Sequence, residues 1–238
     1  MKGENMADSN IELELYLVRH GESKGNNGEY KDKSKAENAD APLSDKGVRE
    51  AELLGEFFSE CRLDAIFSSG LERSLRTGHE VALRQKDDGA KQVEVHGVFT
   101  ECNTCDECAG RTIAEIKEKF PLMINAEGTD PDEKKISGKE NDTDEQLLER
   151  GKQALKYIRD RFHNGEKVMV TSHAAINTFI MYAALGLSHE QIFDPSFYNT
   201  GVTKIVFYKK GTGAFADVHL AYQNDHSHLI GEFPEFKF

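Results

Sequence analysis

The chain predicts an α/β protein of three layers (α/β/α), with a mostly parallel central sheet and an inserted loop or helical lid region, and two observations carry that reading. Short apolar runs with the length of inner strands alternate with segments whose apolar residues recur at helical spacing. Two of these runs, residues 13–18 (LELYLV) and 167–172 (KVMVTS), stop abruptly before or just ahead of a histidine, His20 in one and His173 in the other. Ligands in open α/β sheets bind beyond the carboxyl ends of strands, so chemistry is expected at this edge.

The elements follow in order. Residues 1–10 read as a flexible tail, and 11–238 as one domain, since 238 residues give a full core without requiring two. After the first strand, Arg19-His20-Gly21 opens a loop to which Ser23 and Asn26 add short hydrogen-bonding side chains, and Gly21 allows a tight turn close to a ligand. Residues 27–40 are polar without apolar periodicity and predict an exposed loop at the site mouth. Pro42-Leu43-Ser44 supplies a turn and an N-cap, and Val48, Ala51, Leu54 and Phe58 predict a helix behind it.

Residues 63–69 predict a second inner strand, broken by Gly70 before a helix over 71–84, which places Arg73 on a first helical turn. Helix N-termini favour anions, and an arginine there adds a planar fork for phosphate oxygens. Residues 93–99 predict a third strand leading to Glu101, and Thr112-Ile113-Ala114-Glu115 is a capping box for the next helix. A lid-like insertion is expected near 102–142, with 123–142 rich in Gly, Asp, Glu and Lys. Thr143–Gln146 caps another helix, residues 174–187 a further one, and 203–208 and 216–222 predict a final hairpin.

Composition narrows the function classes. Thirty Lys+Arg against 42 Asp+Glu give a formal net charge of -12, which disfavours nucleic acid or an anionic membrane as partner and confines any phosphate site to a local basic pocket. No stretch approaches the ~20 apolar residues of a membrane span, and the start lacks a signal-peptide core, so a cytoplasmic protein is expected. Cys102, Cys105 and Cys108 stand at three-residue spacing, but a structural zinc site needs four ligands and only His96 is near, so loop cysteines are the plainer reading and no metal is expected.

Strand ends thus deliver Arg19, His20, Arg73, Glu101 and His173. Together, Leu17-Val18-Arg19-His20-Gly21-Glu22-Ser23 with Asn26, Leu43-Ser44 with Gly47, Ser68-Ser69-Gly70-Leu71-Glu72-Arg73-Ser74, Glu101 and Val170-Thr171-Ser172-His173 resemble the histidine phosphatase superfamily, in its phosphoglycerate mutase-like branch. The resemblance implies that His20 attacks phosphorus and forms a phosphohistidine, with Arg19, Arg73, His173, Asn26 and Ser23 around the phosphoryl group. Glu101 would be the general acid and base, with His173 counted among the catalytic residues. No cofactor is implied. The run after Glu101 departs from the family pattern, so Glu107 stays open as the acid.

The same resemblance leaves three outcomes. A phosphatase on small phosphomonoesters is favoured, because the tryptophan that usually follows the Arg-His-Gly motif in mutases is missing and the insertion carries Lys134, Lys135 and Lys139 but no paired arginines. A phosphoglycerate mutase or a fructose-2,6-bisphosphatase-like activity is the alternative, and a catalytically silent phosphate-binding protein the third. The expected partner is a small phosphorylated metabolite; oligomeric state, including a dimer, is left open.

Overall fold

A computed structural model describes residues 10–86, 88–102, 108, 110–136, 142–191 and 195–236. The expected tail at 1–10 therefore lies almost wholly outside the described residues. Among those described, seven strands form one sheet: β1 (Ile11–Arg19), β2 (Ala65–Ser68), β3 (Val93–Val95), β4 (Met123–Asn125), β5 (Glu166–Ser172), β6 (Val202–Tyr208) and β7 (Val218–Asp225). Their order is β4-β3-β2-β5-β1-β6-β7, parallel from β4 to β1 and antiparallel at β6 and β7. The helices are α1 (Lys35–Ala39), α2 (Asp45–Phe58), α3 (Glu72–Arg84), α4 (Ile113–Lys119), α5 (Asp144–Arg159) and α6 (Ala174–Leu185).

The period-two alternation of β1 divides the core between the two faces of the sheet. Leu13, Leu15 and Leu17 enter one apolar cluster with Leu147, Leu155 and Ile158 of α5 and Phe179 and Tyr182 of α6. Tyr16 and Val18 enter the other, with Leu54 and Phe58 of α2 and Leu75 of α3. Each such fully buried side chain contributes about 1.5–3 kcal/mol relative to exposure. The caps read from the sequence are formed: Ser44, Thr112 and Thr143 accept from Gly47, Glu115 and Gln146 N–H groups, and the latter two are reciprocal capping boxes. Gly186 ends α6 with φ 69°, a left-handed position where glycine carries no Cβ penalty. No helix among the described residues is long and apolar enough to cross a membrane.

Three expectations need correction. The polar loop at 27–40 contains α1, capped by Ser34 and Glu37 in a capping box that lies outside any apolar periodicity. The strand expected over 93–99 stops at Val95, because His96 Nδ1 accepts from Val98 N–H at 2.9 Å and turns Gly97–Phe99 into a short 3-10 helix. Within the expected insertion, Met123–Asn125 is an ordered edge strand paired with β3. Lys135, farther along, is only 2% exposed, with its N–H on Arg111 O at 2.8 Å. Residues 137–141 are outside the described set. Gly21, expected to allow a tight turn, is also held by a backbone contact. A Cβ at Gly21 would overlap the Gly47 carbonyl, and one at Gly47 would overlap the Glu22 carbonyl, so the turn after β1 packs backbone to backbone on the first turn of α2.

Gly47→Ala should lower unfolding stability by about 3 kcal/mol, because its methyl group meets backbone that cannot rotate away. Chemical denaturation monitored by circular dichroism reads this directly; an unchanged midpoint would mean the two turns do not pack as described.

Candidate active site

The sheet itself brings the two histidines together. Parallel pairing of β1 with β5 sets Arg19 opposite Ser172, and His20 N–H donates to Ser172 O at 2.9 Å, so the next residue on each strand leaves the same edge side by side. Both rings are buried, with centroids 5.1 Å apart and planes tilted by 59°.

Arg73, on the first turn of α3, reaches the same point. Its Nε–H donates to His20 Nε2 at 3.1 Å, and its Nη1 donates to Ala39 O at 2.6 Å. A guanidinium cannot accept, so His20 Nε2 must be unprotonated. The ring proton is then on Nδ1, which donates to Gly21 O at 2.6 Å. The electrostatics agree. Burial first, then the Arg73 and Arg19 charges, push the His20 pKa well below the ordinary histidine value, and burial with Arg73 does the same to His173.

Arg19 Nη1 donates to Phe197 O at 2.7 Å, while its Nε is buried without a hydrogen-bond partner. His173 Nε2 lies 2.7 Å from Ser69 Oγ, and its Nδ1 is likewise buried and unpartnered. Glu101 follows the 3-10 turn. One carboxylate oxygen accepts from Cys102 N–H at 3.0 Å, and the carboxylate also takes the Ile176 N–H at the start of α6. Burial raises its pKa; Arg73, the backbone donors and Arg19 oppose without reversing it. Arg19, Arg73, His20, His173 and Glu101 therefore form one cluster, the two imidazoles buried and the other three side chains partly buried.

Ser23 and Asn26 are placed differently. Asn26 Oδ1 accepts from Ser23 N–H and Ser23 Oγ accepts from Asn26 N–H, both at 3.2 Å, so the pair closes its own loop, and Asn26 is exposed. Glu107 and Cys105 lie outside the described residues. Burial and the neighbouring Glu101 push the Cys102 thiol up to about 12, which removes thiolate reactivity there.

Several positioning groups escape a reading of the sequence. Thr77 Oγ1 accepts from Gly21 N–H at 3.1 Å and donates to Arg73 O at 2.8 Å, linking both cationic segments. Asn199 Nδ2 donates to His20 O at 2.9 Å. Asp40, at the end of α1, accepts from Glu72 N–H and from Arg111, which braces the start of α3 and hence Arg73. The one available signal was Ser69, next to a predicted strand end; the others are common residue types whose partners are far along the chain.

Fold and cluster together define an α/β protein with two histidines and two arginines gathered at the carboxyl edge of its sheet. The chain belongs to the histidine phosphatase superfamily (branch 1), whose family model matches residues 15–216. It is 30% identical to phosphoserine phosphatase 1 of Hydrogenobacter thermophilus over 179 residues, 73% of this chain and 76% of that one. It is 28% identical to the mouse fructose-2,6-bisphosphatase TIGAR over 106 residues, 44% of this chain and 32% of that protein. Among solved structures, Bacillus stearothermophilus YhfR superposes with a TM-score of 0.62 at 25% identity, covering 91% of this chain and 99% of that one. Entamoeba histolytica phosphoserine phosphatase, in complex with 3-phosphoglyceric acid, superposes at 0.58 and 22% identity over 92% of this chain and 100% of that one, a likeness of fold.

In the ligand-free protein, His20 should remain the neutral Nδ1–H tautomer at pH 6, where an ordinary histidine is mostly protonated. Arg73→Gln should move its titration upward by removing a cation. Long-range nitrogen–proton NMR correlations distinguish these states, and a protonated His20 ring at pH 6 would contradict the assignment.

Proposed function

We propose that this protein hydrolyses small phosphomonoesters through a phosphohistidine on His20, with Glu101 as general acid and then general base. The observation that carries the reading is the Arg73 Nε–H to His20 Nε2 contact at 3.1 Å: an unprotonated nucleophilic nitrogen beside a fixed phosphate-binding cation. In the free enzyme that donor covers the nitrogen's lone pair. When a phosphoryl group arrives, Arg73 transfers its hydrogen bonds to the nonbridging oxygens, and the lone pair is released toward phosphorus.

The bonds then balance as follows. The His20 Nε2–P bond forms while the P–O bond of the ester breaks, and the leaving oxygen takes the proton held by Glu101. Water next attacks phosphorus, its proton passing to Glu101, and the N–P bond breaks to restore His20 and release phosphate. Arg19, Arg73 and His173 hold charge that grows on the oxygens in both steps, and the buried setting makes each donor more effective than in water. Glu101 fits its part because burial keeps a larger protonated fraction than an ordinary carboxyl has, while the Arg73 charge keeps its anion accessible for the second step.

The leaving group has room on one side. A cavity of about 590 Å³ extends from Arg19 along Ala174, Ala175, Thr178 and Phe179 of α6 to Phe197 and Tyr198. Among the described residues lining it, Arg19 is the one cation, and Asp144 adds a negative charge. Among the described residues a second phosphate would find no counter-charge there besides Arg19, which supports a monoester over the bisphosphates of a mutase or a fructose-2,6-bisphosphatase-like enzyme.

Wild-type protein should release p-nitrophenol from p-nitrophenyl phosphate at mildly acidic pH without added metal, and His20→Ala should fall more than 1,000-fold, to on the order of background, as loss of a nucleophile does. No turnover by the wild type would refute the proposal. Supplying 3-phosphoglycerate with a trace of 2,3-bisphosphoglycerate should yield no 2-phosphoglycerate; its appearance would establish the mutase instead.

Glu101→Gln separates acid catalysis from positioning. It should slow hydrolysis of an alkyl phosphate by about 100- to 10,000-fold, yet slow phosphoryl transfer from p-nitrophenyl phosphate, whose leaving group needs no proton, far less. Equal losses on both substrates in single-turnover assays would remove Glu101 from the acid role.

A further inference from the structure

Directly behind the turn that follows His20 is a carboxyl group that the reaction does not use. Glu50, on α2, is 1% exposed, and its Oε2 accepts from Glu22 N–H at 2.7 Å. The adjoining Gly21 supplies the carbonyl that holds the His20 ring, so this bond fixes the backbone on which the nucleophile is oriented.

Among the described residues, the charged groups near Glu50 come from three places. Lys46, from its own helix, is 3.8 Å from Glu50 Oε1, but it also lies 3.7 Å from Glu22 and 2.5 Å from Glu235 of the C-terminal segment, so one ammonium is shared among three carboxylates. From β1, Arg19 feels the Glu50 charge, after that of Glu101. Glu22 is turned toward Ser44, whose hydroxyl donates to it at 2.8 Å. Beyond these groups lies a cavity of about 340 Å³ lined by Lys46, Glu50, Tyr198, Asn199, His226 and Glu235, and the Asn199 amide there donates to His20 O. A buried carboxyl thus stands between a polar cavity and the phosphate-binding turn.

We propose that Glu50 is a positioning residue: it holds the turn after His20 through the Glu22 N–H, and its charge state sets how strongly the Arg19 side of the pocket binds a phosphoryl group. The inference rests on the phosphate-site reading given under the proposed function. Burial supports it by raising the Glu50 carboxyl to about 7, with Glu22 and Glu235 adding to the rise and the Glu22 N–H and Lys46 opposing it. Below that pH the group is a neutral acid and places no negative charge beside Arg19. Above it a negative charge appears near Arg19 and competes with the incoming anion, so binding weakens as pH rises.

Steady-state kinetics on p-nitrophenyl phosphate from pH 5.5 to 8.5 test this in wild type, Glu50→Gln and Glu50→Leu, alongside calorimetric affinity for inorganic phosphate. Wild-type KM should rise about fivefold more across pH 7 than that of Glu50→Gln, the order expected of one charge acting through a partly solvated interior. Phosphate affinity should follow the same difference. The substrate's own ionisation cancels because both enzymes meet the same ester. Glu50→Gln retains an acceptor for the Glu22 N–H, whereas Glu50→Leu lacks one and should lose kcat at every pH.

Parallel KM profiles for wild type and Glu50→Gln would overturn the proposal, as would equal, pH-independent damage by both substitutions, which marks simple packing. The comparison of wild type with Glu50→Gln decides the matter even if Glu50→Leu does not fold. A wild type that neither turns over the ester nor binds phosphate would refute the functional reading and this inference with it.

Discussion

A neutral imidazole held among guanidinium groups is the interaction on which the rest depends. Ordinarily a histidine near neutrality is divided between charged and uncharged forms, and the charged form cannot attack phosphorus. Here burial and the fields of Arg19 and Arg73 act in the same direction on His20 and His173, so both favour the neutral form. The free site is consequently under electrostatic tension. Arg19 and Arg73 share the field of Glu101, with Glu50 also acting on Arg19 and Asp40 on Arg73, and in the proposed function a dianionic phosphoryl group relieves that tension.

Holding that arrangement occupies segments with no chemistry of their own. α1, only five residues long, offers Ala39 O to Arg73 and lets Asp40 brace the start of α3. Thr77 joins the backbone of the histidine turn to that of the arginine turn. The C-terminal segment is clamped to α2 by Lys46–Glu235 and Arg49–Glu232 contacts at 2.5 and 2.9 Å. Exposed pairs of this kind contribute little individually. Their effect is to keep the C-terminal segment against the wall that carries Glu50.

The strand-end residues were legible because Arg19-His20-Gly21, Arg73 and Ser172-His173 occur in order at the ends of apolar runs, where Arg-His-Gly alone is a weak signal, and the caps at Ser44, Thr112 and Thr143 were legible because they immediately precede apolar periodicity. α1 was missed for the complementary reason: its Ser34 and Glu37 box opens a helix that buries nothing. β4 was missed because three residues on a sheet edge carry no periodic signal. Ser69, Thr77 and Asn199 act on partners 104, 56 and 179 positions away, and no local pattern announces such pairs. Ser23 and Asn26 each bond the other's backbone N–H, as short polar side chains in a tight loop do.

The pairing of β1 with β5 has one more consequence. The distance between the reactive ring and its companion is dictated by a ladder of peptide hydrogen bonds in the middle of the sheet rather than by how side chains happen to nestle. Segments at the rim can therefore lengthen, shorten or change character while that distance holds. On the proposed reading, such a scaffold lets the rim choose the alcohol while the chemistry at the strand edge is left untouched.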